Sequence, residues 1–199
     1  MTVAIIQTGC ANIFSVQTAL DRLNADHILA AMPVDAAGAD RLILPGVGSA
    51  HPAMANLQAA GWDAALAAED RPLLGICLGM QLLFESSQEG DTGCLGLLPG
   101  EVVAMTPFVG GRLPHMGWNQ LRHETDNDPL LSGIEEGEHV YFVHSYAVPV
   151  TSLTIASSEH DMRFSAMVRR GNVMGCQFHP ERSGKAGGRI LKNFLEIGA

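Results

Sequence analysis

The first half of the chain alternates short apolar runs with stretches in which apolar residues recur at helical spacing. The apolar runs cover residues 3–6, 27–32, 42–44 and 73–76, and they predict four strands. Helical spacing covers residues 12–23 and then 50–68, where Gly61 breaks the pattern in two. This order predicts an α/β fold with a mainly parallel central sheet flanked by helices on both faces.

Strand signals dominate the second half, at residues 102–105, 140–148, 154–156, 164–169 and 173–178. Arg170-Gly171-Asn172 predicts a turn that joins the last two of these strands into a hairpin. A final helix is expected from about Gly187. Since no repeat, low-complexity tract or linker divides the chain, we expect a single domain with an additional antiparallel section.

Composition narrows the class of protein. A chain of 199 residues suits one domain with a sizeable core. The net charge of −9, with few and scattered Lys and Arg, argues against a nucleic-acid or membrane surface as the main partner. The start lacks a signal-peptide pattern, and no run approaches the ~20 apolar residues of a membrane span. Four cysteines without paired spacing predict reduced thiols in a cytoplasmic enzyme and no metal site.

The most informative segment is Gly75-Ile76-Cys77-Leu78-Gly79. It places a cysteine between two glycines, after an apolar strand and before a helical pattern over residues 78–85, as in the nucleophile elbow of α/β-hydrolases. Such a turn lifts the side chain above the sheet edge, at a helix N-terminus that favours a thiolate. The alternative is a buried cysteine that ends a core strand.

A second segment, His179-Pro180-Glu181, ends the strand predicted at residues 173–178. In extended backbone, side chains two residues apart leave on the same side, so Glu181 is expected to orient the His179 ring. The histidine then exchanges a proton with the thiol and the leaving group. With Cys77 on the same chain, a Cys–His–Glu triad is favoured over a solvated strand end.

A glycine-rich turn, Pro45-Gly46-Val47-Gly48-Ser49, follows the strand predicted at residues 42–44. The backbone N–H of Val47 or Gly48, together with that of Leu78, is a candidate oxyanion hole. The alternative is an ordinary turn between a strand and a helix. A phosphate loop is disfavoured because no Gly-Lys-Ser/Thr follows.

Taken in order, Pro-Gly-Val-Gly, Gly-Ile-Cys-Leu-Gly-Met-Gln and His-Pro-Glu resemble the class I (triad) glutamine amidotransferases. The segments at residues 114–119 and 141–146 further resemble the glutaminase subunits of imidazole glycerol phosphate synthase, from histidine biosynthesis. The resemblance implies one glutamine amidotransferase type 1 domain over residues 1–199 and hydrolysis of L-glutamine without metal or cofactor. It also implies a separate cyclase subunit, in a heterodimer, that uses the ammonia to make imidazole glycerol phosphate and AICAR.

The resemblance also assigns residues to glutamine binding. Gln81 lies one helical turn after Cys77, on the same face, where it faces the substrate or is simply a half-exposed helix residue. Four further matches to family positions that contact glutamine are Gly48, Glu89, Ser145 and Tyr146. By itself, the loop around Glu89 is only polar, and residues 145–146 are equally explained as the edge of a buried strand.

The partner interface is expected at Asn12, Met116, Trp118 and Arg182. Met116 and Trp118 are large side chains in a segment without clear periodicity, and the alternative is two core residues in a bend. The chain departs from the family at Ala11, where a glycine is usual, and at Arg182, where lysine is common. The rivals are a glutaminase of another synthase, a free-standing γ-glutamyl cysteine hydrolase and a non-catalytic subunit.

Overall fold

The computed structural model describes residues 1–9, 12–106 and 112–198. The first half contains β1 (Thr2–Ile6), α1 (Ile13–Arg22), β2 (Asp26–Ala30), β3 (Arg41–Gly46), α2 (Ala50–Ala59), α3 (Trp62–Ala67), β4 (Leu73–Cys77), α4 (Leu78–Leu82), β5 (Ser86–Ser87) and β6 (Thr92–Gly93). The second half contains β7 (Glu101–Ala104), β8 (His115–Gln120), β9 (Arg122–His123), β10 (His139–His144), β11 (Tyr146–Ala147), β12 (Thr154–His160), β13 (Met162–Arg170), β14 (Val173–Cys176) and α5 (Gly184–Glu196).

Within the described residues, the main sheet has eight strands in the order β2-β1-β3-β4-β14-β13-β12-β9. The strands from β2 to β14 run parallel, and those from β14 to β9 pair antiparallel. The predicted α/β fold with an antiparallel section is therefore confirmed. The hairpin is present too, since Arg170 pairs with Val173 across the β13–β14 turn.

The junction of the two halves positions the candidate site. Strand β14 lies parallel to β4, with Cys176 opposite Ile76. The next residue on each strand, Gln177 and Cys77, therefore lies at the carboxyl edge of the sheet, where open α/β sheets bind their ligands.

Apolar residues cover both faces of the main sheet. On one face, Leu20 of α1 and Phe194 of α5 are fully buried in a core cluster that contains Ile5 of β1. On the other face, Leu57 of α2 and Trp62 of α3 are buried against Leu44 of β3 and its neighbours. The sheet is thus held rigidly between two helical layers, as the alternating pattern predicts. None of the helices among the described residues has the length and apolarity needed to cross a membrane.

Two predicted helix bounds are wrong. The helix after Cys77 ends at Leu82, whereas the apolar pattern continues to residue 85. The final helix begins at Gly184 and not near Gly187. Gly187 is needed for packing, because a Cβ there would lie 2.0 Å from the carbonyl oxygen of Pro180.

The second half also differs from its pattern in two places. The single strand predicted at residues 140–148 is broken at Ser145 into β10 and β11, which pair in different sheets. The segment at residues 115–120 is a strand, β8, antiparallel to β10. Its side chains do alternate, since His115 is buried while Met116 and Trp118 are exposed. A polar buried residue and apolar exposed ones reverse the usual pattern, which is why the strand was missed.

Candidate active site

Cys77 sits on a strained turn between β4 and α4. Its backbone has φ of 53° and ψ of −111°, in the positive-φ region that costs a non-glycine residue roughly 1–3 kcal/mol. The flanking glycines allow α4 to pack directly on the sheet. A Cβ on Gly79 would lie 1.7 Å from the carbonyl oxygen of Leu44, and a Cβ on Gly75 would lie 2.7 Å from that of Gly79. The Gly-x-Cys-x-Gly pattern therefore forms the sharp elbow expected of it.

His179 follows β14, with its backbone extended at φ −97° and ψ 96°. The extended backbone ends there, because Pro180–Arg182 form a 3-10 turn. The prediction that His179 and Glu181 pair because they lie two residues apart in extended backbone is therefore wrong. The turn nevertheless brings Glu181 Oε1 to 2.8 Å from His179 Nδ1. Both side chains are buried, with 6% and 3% of their surface exposed.

Interactions with Cys77 and Glu181 keep the His179 ring protonated at neutral pH. Burial lowers the pKa of His179, but the interactions with Cys77 and Glu181 outweigh it and raise the pKa to about 10. Ring atom Nε2 is buried and makes no hydrogen bond of normal geometry to the described residues. Since Nδ1 contacts the carboxylate, Nε2 is the nitrogen left for exchanging protons with the thiol.

A cavity of about 330 Å³ opens above the elbow. Its walls include Cys77 and His179 together with seven other residues predicted for the site: Val47, Gly48, Leu78, Gln81, Glu89, Ser145 and Tyr146. Glu181 lies behind His179, outside this cavity. Residues from Val47 to His179 therefore converge on one volume that is large enough for an amino acid.

A family model for "Glutamine amidotransferase class-I" matches residues 4–197. The chain belongs to the class-I glutamine amidotransferase family. The prediction made from the three ordered motifs is thereby confirmed. The enzyme class that the family implies, a glutamine amidotransferase, is likewise confirmed for this chain.

Two relatives share about half of the sequence of this amidotransferase. "Imidazole glycerol phosphate synthase subunit HisH" of Xanthomonas axonopodis pv. citri is 54% identical over 195 residues, covering 98% of this chain and 97% of its own length. The protein of the same name from Xylella fastidiosa (strain Temecula1) is 52% identical over 197 residues, covering 99% and 98%. The narrower resemblance, seen in the segments at residues 114–119 and 141–146, therefore agrees with these relatives.

Solved structures support the fold. A structure described as a glutamine amidotransferase superposes with a TM-score of 0.75 at 20% identity, covering 98% of this chain and 97% of its own. PurLQS from Thermotoga maritima gives a TM-score of 0.72 at 20% identity, with the same coverage. At this identity the likeness concerns the fold alone.

Three of the predicted glutamine-binding residues already make hydrogen bonds within the protein. Gln81 Nε2 donates to the Tyr146 carbonyl at 2.9 Å and to Gln177 Oε1 at 3.0 Å, so both of its N–H groups are used. The Tyr146 carbonyl also accepts from His144 Nδ1 at 2.8 Å. Glu89 Oε2 accepts from the Ala50 N–H at 2.7 Å. Contacts to glutamine from these residues stay a prediction, and they must come from their remaining polar groups.

The predicted interface residues lie outside the cavity. Met116 and Trp118 are 63% and 55% exposed on the outer face of β8, which excludes the alternative that they are core residues. The Trp118 ring meets the edge of Tyr141 at 6.1 Å between centroids, and the Arg182 guanidinium lies 4.7 Å from the Tyr141 ring centre. We call Met116, Trp118, Tyr141 and Arg182 the Trp118 patch. Asn12 is exposed and caps α1, accepting from the Ser15 N–H at 3.3 Å.

Two buried histidines beside the cavity are neutral. Burial lowers the pKa of His144 to about 3 and that of His115 to about 4. Because His144 Nδ1 must donate to the Tyr146 carbonyl, its Nε2 accepts from His115 Nδ1 at 3.0 Å. These rings hold the loop around Ser145 and are not proton carriers at neutral pH.

The sequence interpretation missed Gln177. This fully buried side chain donates from Nε2 to Cys77 Sγ at 3.7 Å. One signal was available, because Gln177 is the only polar residue in the otherwise apolar run at residues 173–178. Ala11, where the family pattern is broken, lies outside the described residues, as does Cys10.

Proposed function

We propose that this amidotransferase hydrolyses L-glutamine to glutamate and ammonia and passes the ammonia to a separate cyclase subunit. That partner would use it to form imidazole glycerol phosphate and AICAR in histidine biosynthesis. One observation carries the proposal: a cysteine on a strained elbow shares a cavity with a histidine that is paired to a buried carboxylate. The names of the 52–54% identical relatives support the choice of synthase.

In the first half of the reaction, the Cys77 thiolate attacks the side-chain amide carbon of glutamine. The C–S bond forms as the carbonyl π electrons move to oxygen and give a tetrahedral oxyanion. When the oxyanion collapses, the C–N bond breaks and His179 gives its Nε2 proton to the departing nitrogen. Ammonia leaves and a thioester remains on Cys77. The raised pKa of His179 suits this step, because it keeps the proton available at neutral pH.

In the second half, the now neutral His179 takes a proton from water. The resulting hydroxide adds to the thioester carbon, a second oxyanion forms, and its collapse breaks the C–S bond. The carboxylic acid so formed gives its proton to solvent and leaves as glutamate, and the thiolate–imidazolium pair is restored. Glu181 keeps the Nδ1 proton in place throughout and stabilises the charge on the ring.

The oxyanion is assigned to backbone N–H groups of Leu78 and of the Val47–Gly48 turn. Both lie in the cavity wall beside Cys77, since Gly46 pairs with Cys77 across β3 and β4. One such donor typically lowers the barrier by about 3 kcal/mol. Gly48 has φ of +88°, so the conformation of this turn depends on glycine.

Glutamine binding is assigned to the cavity residues beyond the nucleophile. The Glu89 carboxylate supplies the negative charge that the substrate ammonium requires, while Gly48, Gln81, Ser145 and Tyr146 supply uncharged polar groups. The cyclase is assigned to the Trp118 patch and Asn12, because aromatic and arginine side chains are the usual anchors of protein interfaces. A cytoplasmic location is part of the same proposal.

Replacing Trp118 by alanine is expected to weaken binding of the cyclase by about 2 kcal/mol or more, roughly 30-fold in Kd. The ring is more than half exposed in the free chain, so little packing is lost within it and the melting temperature should change by only a few degrees. Titration calorimetry with the purified cyclase measures the affinity.

Val34→Ala is the matched control for this test. Val34 is 72% exposed but follows β2, at the end of the sheet that is separated from β4 by β1 and β3. Val34→Ala should leave the affinity for the cyclase unchanged. Equal affinities for wild type and Trp118→Ala would remove Trp118 from the interface.

The chain alone is expected to be a poor glutaminase that its partner activates. It holds the hydrolytic triad but no described element that consumes ammonia, so uncoupled turnover would waste glutamine. The Gly46–Gly48 turn is the element best suited to respond, because its glycines make the peptide planes easy to reorient. Glutamate production should rise at least ten-fold from the chain alone to the complex with the cyclase and its nucleotide substrate.

The same measurement tests the proposed function. Equal glutamate production under all conditions would refute the coupling and favour a free-standing hydrolase. No glutamate under any condition would refute the glutaminase itself.

A further inference from the structure

Gln177 contacts the sulfur of the candidate nucleophile but has no role in the proposed mechanism. It has no exposed surface, lies one residue beyond β14, and donates from Nε2 to Cys77 Sγ at 3.7 Å. The sulfur also lies 3.8 Å from the Val143 carbonyl, which accepts a hydrogen bond from the thiol and repels a thiolate. We propose that Gln177 is a positioning residue that holds Cys77 as a thiolate by donating its amide N–H to the sulfur.

The orientation of the Gln177 amide follows from its neighbours. The Tyr146 carbonyl can only accept, so the Gln81 atom 2.9 Å from it must be the NH₂ group. The same NH₂ lies 3.0 Å from the Gln177 amide, which must therefore present its oxygen to Gln81. Its nitrogen then faces Cys77 Sγ at 3.7 Å, within the range of an N–H···S hydrogen bond. Any other orientation would bring two donors or two acceptors together in a buried site.

This arrangement is fixed by the fold. The parallel register of β14 and β4 sets Cys176 opposite Ile76, so the residues that follow are neighbours. His144 adds a second donor to the Tyr146 carbonyl and holds it in place. The chain His144–Tyr146–Gln81–Gln177 thus ends at the sulfur, and Gln81 acts on Cys77 through Gln177.

The protonated His179 ring already favours a negative sulfur. The helix after Cys77 adds little, because only residues 78–82 are helical and its dipole is weaker than that of a longer helix. A hydrogen-bond donor from the opposite strand therefore complements the histidine. Because a hydrogen bond to a charged group is stronger than one to a neutral group, losing it should lower the fraction of Cys77 that reacts at neutral pH by roughly ten-fold or more. The inference rests on the proposed function, in which Cys77 attacks as a thiolate.

The key variant is Gln177→Glu. In its ionised form it keeps the shape and an oxygen for Gln81, so the Gln81–Tyr146 contact is retained, but it loses the donor to sulfur. Gln177→Met is the second variant, because it also lacks the donor and adds no negative charge. Gln58→Glu on the exposed face of α2 is the matched control. The titratable groups around the sulfur are unchanged in all three: His144, Cys176, His179, Glu181 and, in the same cavity wall, Glu89 and Tyr146.

The measurement is the pH dependence of iodoacetamide alkylation of Cys77, followed by mass spectrometry of the peptides. Cys94 and Cys176 are internal references, because burial raises the pKa of Cys94 to about 11 and that of Cys176 as well. In wild type and Gln58→Glu, Cys77 should be alkylated much faster than both at pH 7. In Gln177→Glu and Gln177→Met, the alkylation rate of Cys77 at pH 7 should fall roughly ten-fold, and the rates should approach that of wild type at high pH. With the cyclase bound, kcat should fall roughly ten-fold for Gln177→Glu, with KM for glutamine changed less than two-fold.

The possible outcomes distinguish the role of Gln177 from the proposed glutaminase function. Profiles of Gln177→Glu and Gln177→Met that coincide with wild type would overturn the role of Gln177 while leaving Cys77 as nucleophile. A shift in Gln177→Glu alone would also overturn it, because added charge and not the lost donor would be the cause. A wild-type Cys77 no more reactive than Cys94 would instead count against the proposed function.

Discussion

Cys77→Ala is expected to lower glutamine hydrolysis by roughly four orders of magnitude or more, since no other group in the cavity can form the thioester. Synthesis of imidazole glycerol phosphate by the complex should persist when ammonia is supplied directly, because only the source of ammonia is lost. The variant should fold, as the side chain is small and makes only weak contacts to Val143 and Gln177. Glutamate release and ammonia-dependent synthesis, measured on the same complex, check both halves of this expectation.

Cys94→Ala is the control for that experiment. Cys94 is half-buried, donates to the Thr92 carbonyl and lies outside the cavity. It should retain wild-type turnover. Glutaminase activity in Cys77→Ala would end the assignment of the nucleophile, and loss of ammonia-dependent synthesis would mean that the variant no longer binds or folds correctly.

His179→Ala is expected to be nearly inactive, whereas Glu181→Gln should retain at least about ten-fold more turnover than it. The histidine moves the proton, and the carboxylate orients and stabilises the ring. A glutamine at 181 keeps an oxygen that can accept from Nδ1, so the orientation survives while the charge is lost. Steady-state kinetics on the complex with the cyclase compare the two variants.

The pH dependence gives a second measurement of the same pair. The His179 pKa, raised to about 10, keeps the ring protonated through neutral pH, so activity that depends on this proton is lost only as the pH rises through that value. Removing the Glu181 charge lowers the pKa toward its usual range. The alkaline limb of the profile of Glu181→Gln should therefore move to lower pH. Full activity with an unmoved limb would remove Glu181 from the triad.

Local sequence patterns were sufficient to predict much of the fold. In the parallel half, β1, β3 and β4 are buried on both faces and read as apolar runs, and the helices carry apolar stripes, so both are visible in the sequence. The Gly-x-Cys-x-Gly elbow was also visible, because the glycines at 75 and 79 are required by contacts within about ten residues and with one adjacent strand. Three motifs in fixed order then identified the family.

Other features of the fold and site depend on long-range contacts, which no local sequence pattern predicts. The pairing of His179 with Glu181 was expected from extended backbone, but a 3-10 turn produces it, because Pro180 begins a new turn directly after the histidine. Strand β8 was not recognised, since its buried residue is a histidine held by two other rings and its exposed residues are Met116 and Trp118.

By itself, the sequence determined the fold class, the family and the identity of the candidate nucleophile, base and carboxylate, because these follow from short-range sterics and from motif order. Only the tertiary structure decided that β14 lies beside β4. That register brings Gln177 and His179 to Cys77 across about a hundred residues, gives Gln177 its contact with the sulfur, and uses both N–H groups of Gln81 within the protein. The physical reason is that strand order and side-chain hydrogen bonding are set by long-range packing of the whole sheet, which the residues of one segment do not encode.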